Sequence, residues 1–179
     1  MNKQLFLMMG APGSGKSTWL NKNAVRIGDI IVSRDAIRFT LLEDGEDYFS
    51  HENEVYNDFV DIICNALEDD NISRVFADAS HLNQKSRNKI LNSIRSKINL
   101  TDIDINVIWL KTTLQTCIDR NSLRDGRANV PVGTIESMWK SQSAPKAIEG
   151  IKKVYIVNEE NNSLDIIMFD SKDENNFIF

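Results

Sequence analysis

Apolar residues along this chain alternate between short continuous runs and longer stretches with helical spacing. Leu5 to Met9 is a continuous run that predicts a buried strand, and Lys16 to Asn23 reads as a helix start. Asp29 to Ser33 (DIIVS) is a second short strand, followed by a helix start in RDAIRFTLL and a loop in EDGED, Glu43 to Asp47. The clearest helix is HENEVYNDFVDIICNALEDDN, where Val55, Phe59, Ile62, Ile63, Ala66 and Leu67 recur at helical spacing and Ser50 is placed to cap the start. Arg74 to Asp78 (RVFAD) returns to strand, and a loop through Leu82 leads into a helix with the stripe Ile90, Leu91, Ile94 and Ile98. Ile105 to Leu110 (INVIWL) is a mostly apolar strand of the kind covered on both faces. A helix over Leu114 to Asn121, a polar stretch ending at Pro131, and a short helix with Ile135, Met138 and Trp139 follow. Lys153 to Val157 and Leu164 to Phe169, split by the turn-rich NEENNS, predict a terminal strand pair. From Asp170 the chain is polar apart from Phe177, Ile178 and Phe179 and reads as a loose tail. Strands alternating with helices predict an α/β fold: one domain over residues 1–179, a three-layer sandwich with a mainly parallel central sheet.

Composition changes this picture little. The chain is 41% hydrophobic and 26% charged, with a formal net charge of -5, which excludes a broadly basic nucleic-acid coat but leaves room for a local basic pocket. Cys64 and Cys117 lie far apart, each within a predicted helix, and His51 and His81 complete no zinc-ligand spacing, which suits a reducing compartment. With no run near 18 apolar residues and no apolar leader, the expectation is a soluble cytoplasmic protein without a membrane partner. No feature indicates a protein partner.

Chemistry concentrates first at Gly10 to Ser17, GAPGSGKS, which satisfies the phosphate-loop pattern G-x-x-x-x-G-K-[ST] between a strand and a helix. Glycines at Gly10, Gly13 and Gly15, with Ala11, Pro12 and Ser14 between them, let backbone N–H groups converge on phosphate oxygens at a helix N-terminus. Lys16 is placed to reach the β- and γ-phosphates of ATP and Ser17 to ligate Mg²⁺; Thr18 is counted with the nucleotide-site residues, though one step past the magnesium position it reads better as helix and packing. The bland alternative is a glycine-rich turn with a solvated lysine.

Such a loop permits hydrolysis, switching or kinase activity, so the acceptor side decides. Asp35 and Arg38, three apart at the start of a helix after the second strand, share one face. A carboxylate there can take the proton of an acceptor hydroxyl and the arginine can hold an anionic group, or Asp35 is merely a first-turn acid beside a solvated arginine. Asp78 closes the third strand, either as a contact of the metal or P-loop or as an ordinary strand-ending aspartate. Arg87, further along, reads as a surface residue. Arg120 and Arg124 fall i,i+4 on a predicted helical face, and Arg127 follows Asp-Gly, forming the dense basic element of an acidic chain. This segment, near 120–131, is either a mobile cationic lid over a triphosphate or a solvated positive face.

Taken together, GAPGSGKSTW, SRDAIR, FAD with LNQKSR after it, and RNSLRDGRANVPVGTIESMWKS resemble the 5'-hydroxyl polynucleotide kinase family of P-loop kinases over roughly residues 3 to 142. The resemblance implies that Lys16 and Ser17 hold ATP and magnesium, and that Asp35 is the general base for a 5'-hydroxyl. It further implies that Arg38 binds the phosphate next to the acceptor nucleoside, Arg120 and Arg124 serve the donor, and Asp78 and Arg34 occupy family positions in the substrate site. The linker RDGRANVP is one residue longer than the family's and leaves Arg127 without an assigned duty. The phage enzyme of the family continues into a phosphatase domain, so the resemblance is to a free-standing kinase without 3'-phosphatase activity.

The leading expectation is therefore an ATP-dependent kinase acting on the 5'-OH end of DNA or RNA through few contacts, in nucleic acid end repair. A P-loop kinase for a small-molecule hydroxyl (nucleoside, sugar or antibiotic) and a nucleotide-dependent binding module are the alternatives.

Overall fold

The computed structural model of the chain describes residues 2–126, 129–158 and 163–169. Arg127, residues 159–162 of the turn predicted in NEENNS and the tail from Asp170 lie outside the described residues, while Asn158 and Ser163 at the ends of that turn belong to the last two strands. In chain order the elements are β1 (Lys3–Met9), α1 (Lys16–Asn23), β2 (Asp29–Ser33), α2 (Arg34–Leu41), α3 (Glu52–Glu68), β3 (Arg74–Asp78) and α4 (Gln84–Arg95). There follow β4 (Ile103–Leu110), α5 (Leu114–Ser122), α6 (Val132–Lys140), a single 3₁₀ turn at Ala147–Glu149, β5 (Lys153–Asn158) and β6 (Ser163–Met168).

The strands form one sheet in the order β2-β3-β1-β4-β5-β6, parallel except for the antiparallel β5–β6 pair. β1 lies at its centre, with Leu5 opposite Val75 on one side and Ile105 on the other. Because strand side chains alternate between faces, β1 serves two cores. Leu5, Leu7 and Met9 pack with Phe59 and Ile63 of α3 and with Ile90, Leu91 and Ile94 of α4. Phe6 and Met8 face the opposite layer, with Leu20 of α1, Phe76 and Ile108. Phe6 stacks on Phe76 at 4.9 Å between ring centroids. A sheet covered on both faces is the predicted three-layer arrangement. Among the described residues no helix is long and apolar enough to cross a membrane.

Several local expectations change. β1 begins earlier than its apolar run, at Lys3, whose Nζ donates to the carbonyls of Leu67 (2.9 Å) and Asp69 (2.7 Å). That ammonium sits at the C-terminal end of α3, where the helix dipole favours a cation. Ser50 does not cap α3; the cap position is His51, without a side-chain bond. Ile62 is 39% exposed, on the border of the stripe rather than in it. Arg87 is not a surface residue. It is fully buried, its Nε and Nη2 donating to Glu149 at 2.8 and 2.9 Å and its Nη1 to the carbonyl of Ser143 at 3.0 Å. Arg87 stands three, four and seven positions before Ile90, Leu91 and Ile94, so α4 carries it inward with them.

Candidate active site

The site opens at the carboxyl ends of β1, β2 and β3. The chain leaves central β1 for α1 and enters β2 at the sheet's edge, while β4 pairs on the other side of β1, so the end of β1 is a topological switch point. Gly13 and Gly15 are needed there for different reasons. Gly13 has φ +81°, and a Cβ on it would strike the carbonyl of Cys117 on α5. Gly15 is the left-handed N-cap of α1 (φ 95°, ψ 9°), and no side chain caps that end. The first-turn N–H groups of α1 therefore lack intrahelical partners, the arrangement that accepts an anion. Ser14 is buried, with its hydroxyl unpaired and its carbonyl accepting from Thr112 Oγ1 at 3.0 Å.

Lys16 Nζ donates to the carbonyls of Gly10 (2.7 Å) and Ala11 (3.1 Å), folding back over the loop. Withdrawal from water brings its pKa down to about 8; Arg124 adds to that shift, while Asp78 and Asp35 oppose it. Asp78, at the end of β3, has its pKa raised chiefly by burial, with Asp35 adding to the shift and Lys16 and a hydrogen bond with Ser17 countering it. Thr18 is exposed and lines the cavity, which corrects its reading as a packing residue.

Ser33 starts α2, its Oγ accepting from the N–H of Ala36 at 3.3 Å. The helix then displays Arg34, Asp35 and Arg38 toward the same cavity. Asp35 Oδ1 accepts from Arg38 Nη1 (2.6 Å) and from the hydroxyl of Tyr48 (2.7 Å), while Oδ2 takes no hydrogen bond from the described residues. Arg38 is only 4% exposed; its Nη2 meets Glu52 Oε2 at 2.5 Å and its guanidinium lies 4.4 Å from the Tyr48 ring centroid. Glu52 also pairs with Arg34. Burial and the bond to Asp35 push the Tyr48 phenol up to about 12, so it remains a donor at neutral pH.

A cavity of about 440 Å³ joins these groups, from Gly13, Lys16 and Ser17 across to Asp35 and Arg38, with Asp78 and Arg124 on its walls. Val130, Thr134 and Met138 border it from the α6 side. Arg120, on the last turn of α5, does not line it. α5 ends at Ser122, so Arg120 and Arg124 do not share a continuous helical face; Arg124 N–H instead closes a turn on the carbonyl of Asn121 at 3.0 Å. Asn121 is buried, and its amide joins the two ends of this segment. Oδ1 accepts from Val130 N–H at 3.0 Å, and Nδ2 donates to Val130 O and Asn129 Oδ1, both at 2.8 Å. A shallower depression of about 760 Å³ lies at the amino ends of β4 and β5, between Arg95, Asp104 and Lys152, remote from the loop.

Sequence reasoning did not single out Tyr48, Glu52, Phe39 or Phe49. The available signal was a pair of aromatic residues, Tyr48 and Phe49, inside an otherwise polar loop.

The glycine loop, the uncapped helix start and the strand order together define a P-loop α/β protein of the nucleotide-binding kind. The chain belongs to the AAA domain family, whose sequence profile matches residues 5–145. No curated protein matches it. Among solved structures it is similar to a chain of the Pnkp1/Rnl/Hen1 RNA repair complex (TM-score 0.64, 17% identity), covering 96% of this chain and 50% of that one. It is also similar to a sugar kinase from Janibacter sp. HTCC2649 (TM-score 0.59, 15% identity, covering 88% and 86%). A fungal RNA kinase aligns at TM-score 0.56 and 14% identity, covering 87% of this chain and 74% of the other. Likeness at these identities establishes the fold.

Proposed function

We propose that this chain is an ATP-dependent kinase that phosphorylates the 5'-hydroxyl end of a nucleic acid. The observation that carries the reading is the meeting of Lys16 and Asp35 across one cavity, with Arg34 and Arg38 on the acceptor side. The P-loop Gly10 to Ser17 takes the triphosphate of ATP on its backbone N–H groups and on Lys16. Asp35 Oδ2, which takes no hydrogen bond from the described residues, receives the proton of the 5'-hydroxyl. Its oxygen forms the new bond to the γ-phosphorus as the bond to the β–γ bridging oxygen breaks, and ADP leaves. Arg124 offsets the charge spread over the transferred group, and Arg120, outside the cavity, is a second cation on the donor side. The chain works as one catalytic domain, with residues 120–131 as its arginine-bearing lid.

Among the described residues no cluster of three His, Cys, Asp or Glu could hold a metal alone. Half-buried Asp78 beside the Ser17 hydroxyl fits magnesium instead, an ion that shares its ligands with substrate phosphates. Ser17 and Asp78 would hold it, directly or through water, and when bound it neutralises charge on the β- and γ-phosphates.

Arg38 distinguishes a nucleotide acceptor from a neutral one. A phosphate on the 3' side of the modified nucleoside would exchange with Glu52 for this guanidinium. The test is γ-phosphate transfer from ATP to nucleoside 3'-monophosphates, plain nucleosides and 5'-OH oligonucleotides. Charge-assisted bonds to phosphate imply a preference of about 10- to 150-fold for the 3'-phosphorylated acceptor, and Arg38→Ala should abolish most of it. Equal use of both acceptors by the wild type would refute the polynucleotide assignment.

A second reading has one observation in its favour. Glu52 already pairs with both Arg34 and Arg38, and Asp35 with Arg38, so an uncharged acceptor such as a sugar could enter without breaking these pairs. The similarity to a sugar kinase fold is compatible with it, and transfer to sugars with none to nucleotides would select it.

A further inference from the structure

Phe6, Phe59 and Phe76 are buried, whereas Phe39 and Phe49 are 48% and 63% exposed, and both line the cavity that holds Asp35. They are also held in place. Tyr48 meets Phe39 at 6.1 Å and Phe49 at 4.9 Å between centroids, in edge-to-face contacts, and the Arg38 guanidinium lies 5.7 Å from the Phe49 ring. Tyr48 is itself anchored to Asp35 through its hydroxyl. Exposed apolar area next to a reactive carboxylate is costly in water, and rings fixed this way lose little freedom on meeting a ligand.

Phe39 follows Asp35 by one turn of α2, roughly 6 Å along the axis. This suits the span between a nucleotide's 5'-oxygen and its own base. We propose that Phe39 and Phe49 form a stacking surface for the base of the acceptor's 5'-terminal nucleotide, opposite the P-loop and distinct from the donor's adenine. The surface recognises a planar ring without reading its edges, because every base presents a π-face. Acceptor choice at this position is therefore base-dependent but sequence-tolerant. The inference rests on the polynucleotide reading and adds the ligand group that the arginines and Asp35 leave unaddressed.

Two 5'-OH oligonucleotides identical except for a missing base at the first nucleotide separate the possibilities, since the abasic acceptor keeps the sugar and phosphates. Base–aromatic stacking implies that wild type favours the base-bearing acceptor by about 5- to 150-fold in kcat/KM. Phe49→Ala and Phe39→Ala should each reduce that ratio, and Phe49→Trp should restore it. An acceptor with 2-aminopurine at its 5' end should lose fluorescence on binding wild type, and less on binding F49A. Thermal melting of each variant separates lost stacking from lost folding, and F49W keeps the question answerable if F49A unfolds. Equal use of the two acceptors by wild type overturns the stacking surface while leaving the kinase reading intact. An equal loss of both acceptors in F49A assigns the ring to the sugar, and a rise in the KM for ATP alone assigns it to the donor; either overturns the proposal. Transfer to neither oligonucleotide removes the polynucleotide reading and this surface together.

Discussion

Raising the pH above neutrality should weaken ATP binding through Lys16. In the empty site its ammonium has a pKa of about 8, lowered first by burial and then by Arg124, against the opposing pull of Asp78 and Asp35. A bound triphosphate restores the charged form to its ordinary range. Well below pH 8, near pH 6, the lysine is protonated with or without nucleotide, so binding moves almost no proton there. Above pH 8 the empty site has lost a proton that the occupied site requires, and binding must take one up. Starting from a pKa of about 8, linkage gives an uptake of about half a proton at pH 8 and about 0.9 at pH 9. Between pH 7.5 and 9 the affinity should fall about eightfold, or ~1.3 kcal/mol. Titration calorimetry in buffers of different ionisation heat reads the proton count directly. Lys16→Arg keeps a cation throughout this range and should lose the pH dependence whatever its affinity. No proton uptake by wild type at pH 9, or the same uptake in K16R, would refute the reasoning.

Asp35→Asn keeps an oxygen for Tyr48 but removes the proton acceptor. Steady-state assays should show kcat reduced by about 10² to 10⁴ with calorimetric ATP affinity retained. Arg124→Lys should still lower kcat, since an ammonium does not reproduce the guanidinium fork, and full activity would demote Arg124 to a wall residue. Arg87→Met strands Glu149 in the core and should cost about 3 to 5 kcal/mol in urea unfolding, whereas pairing it with Glu149→Leu should recover much of the loss.

The strand and helix order was legible because each strand of the parallel region is a compact apolar run and each long helix has a clear stripe. β2 and β3 keep the limits read from DIIVS and RVFAD. Where propensity and tertiary contact compete, the sequence misled. β1 and β4 extend outward because Lys3 pairs with Ile103, a long-range match that no local window contains. Arg87 looked solvated because its partner Glu149 lies 62 positions away. In the site, the P-loop and the Asp35–Arg38 pair depend on short spacings and could be read directly. Tyr48 and Glu52 depend on how the loop between α2 and α3 folds back over α2, and the Tyr48–Phe49 pair in a polar loop was the local sign of it.

The Asn121 amide closes residues 122–129 into a ring at its base, with α5 on one side and the start of α6 on the other. Length changes inside such a ring alter closure entropy only slowly, by about 0.6 kcal/mol for each doubling. Insertions or deletions there need not displace Val130 or the helix that follows. The linker RDGRANVP, one residue longer than the family's, overlaps this interval. The reach of the arginine segment can thus diverge between related sequences, or be re-engineered, while the frame around the phosphate loop stays in register.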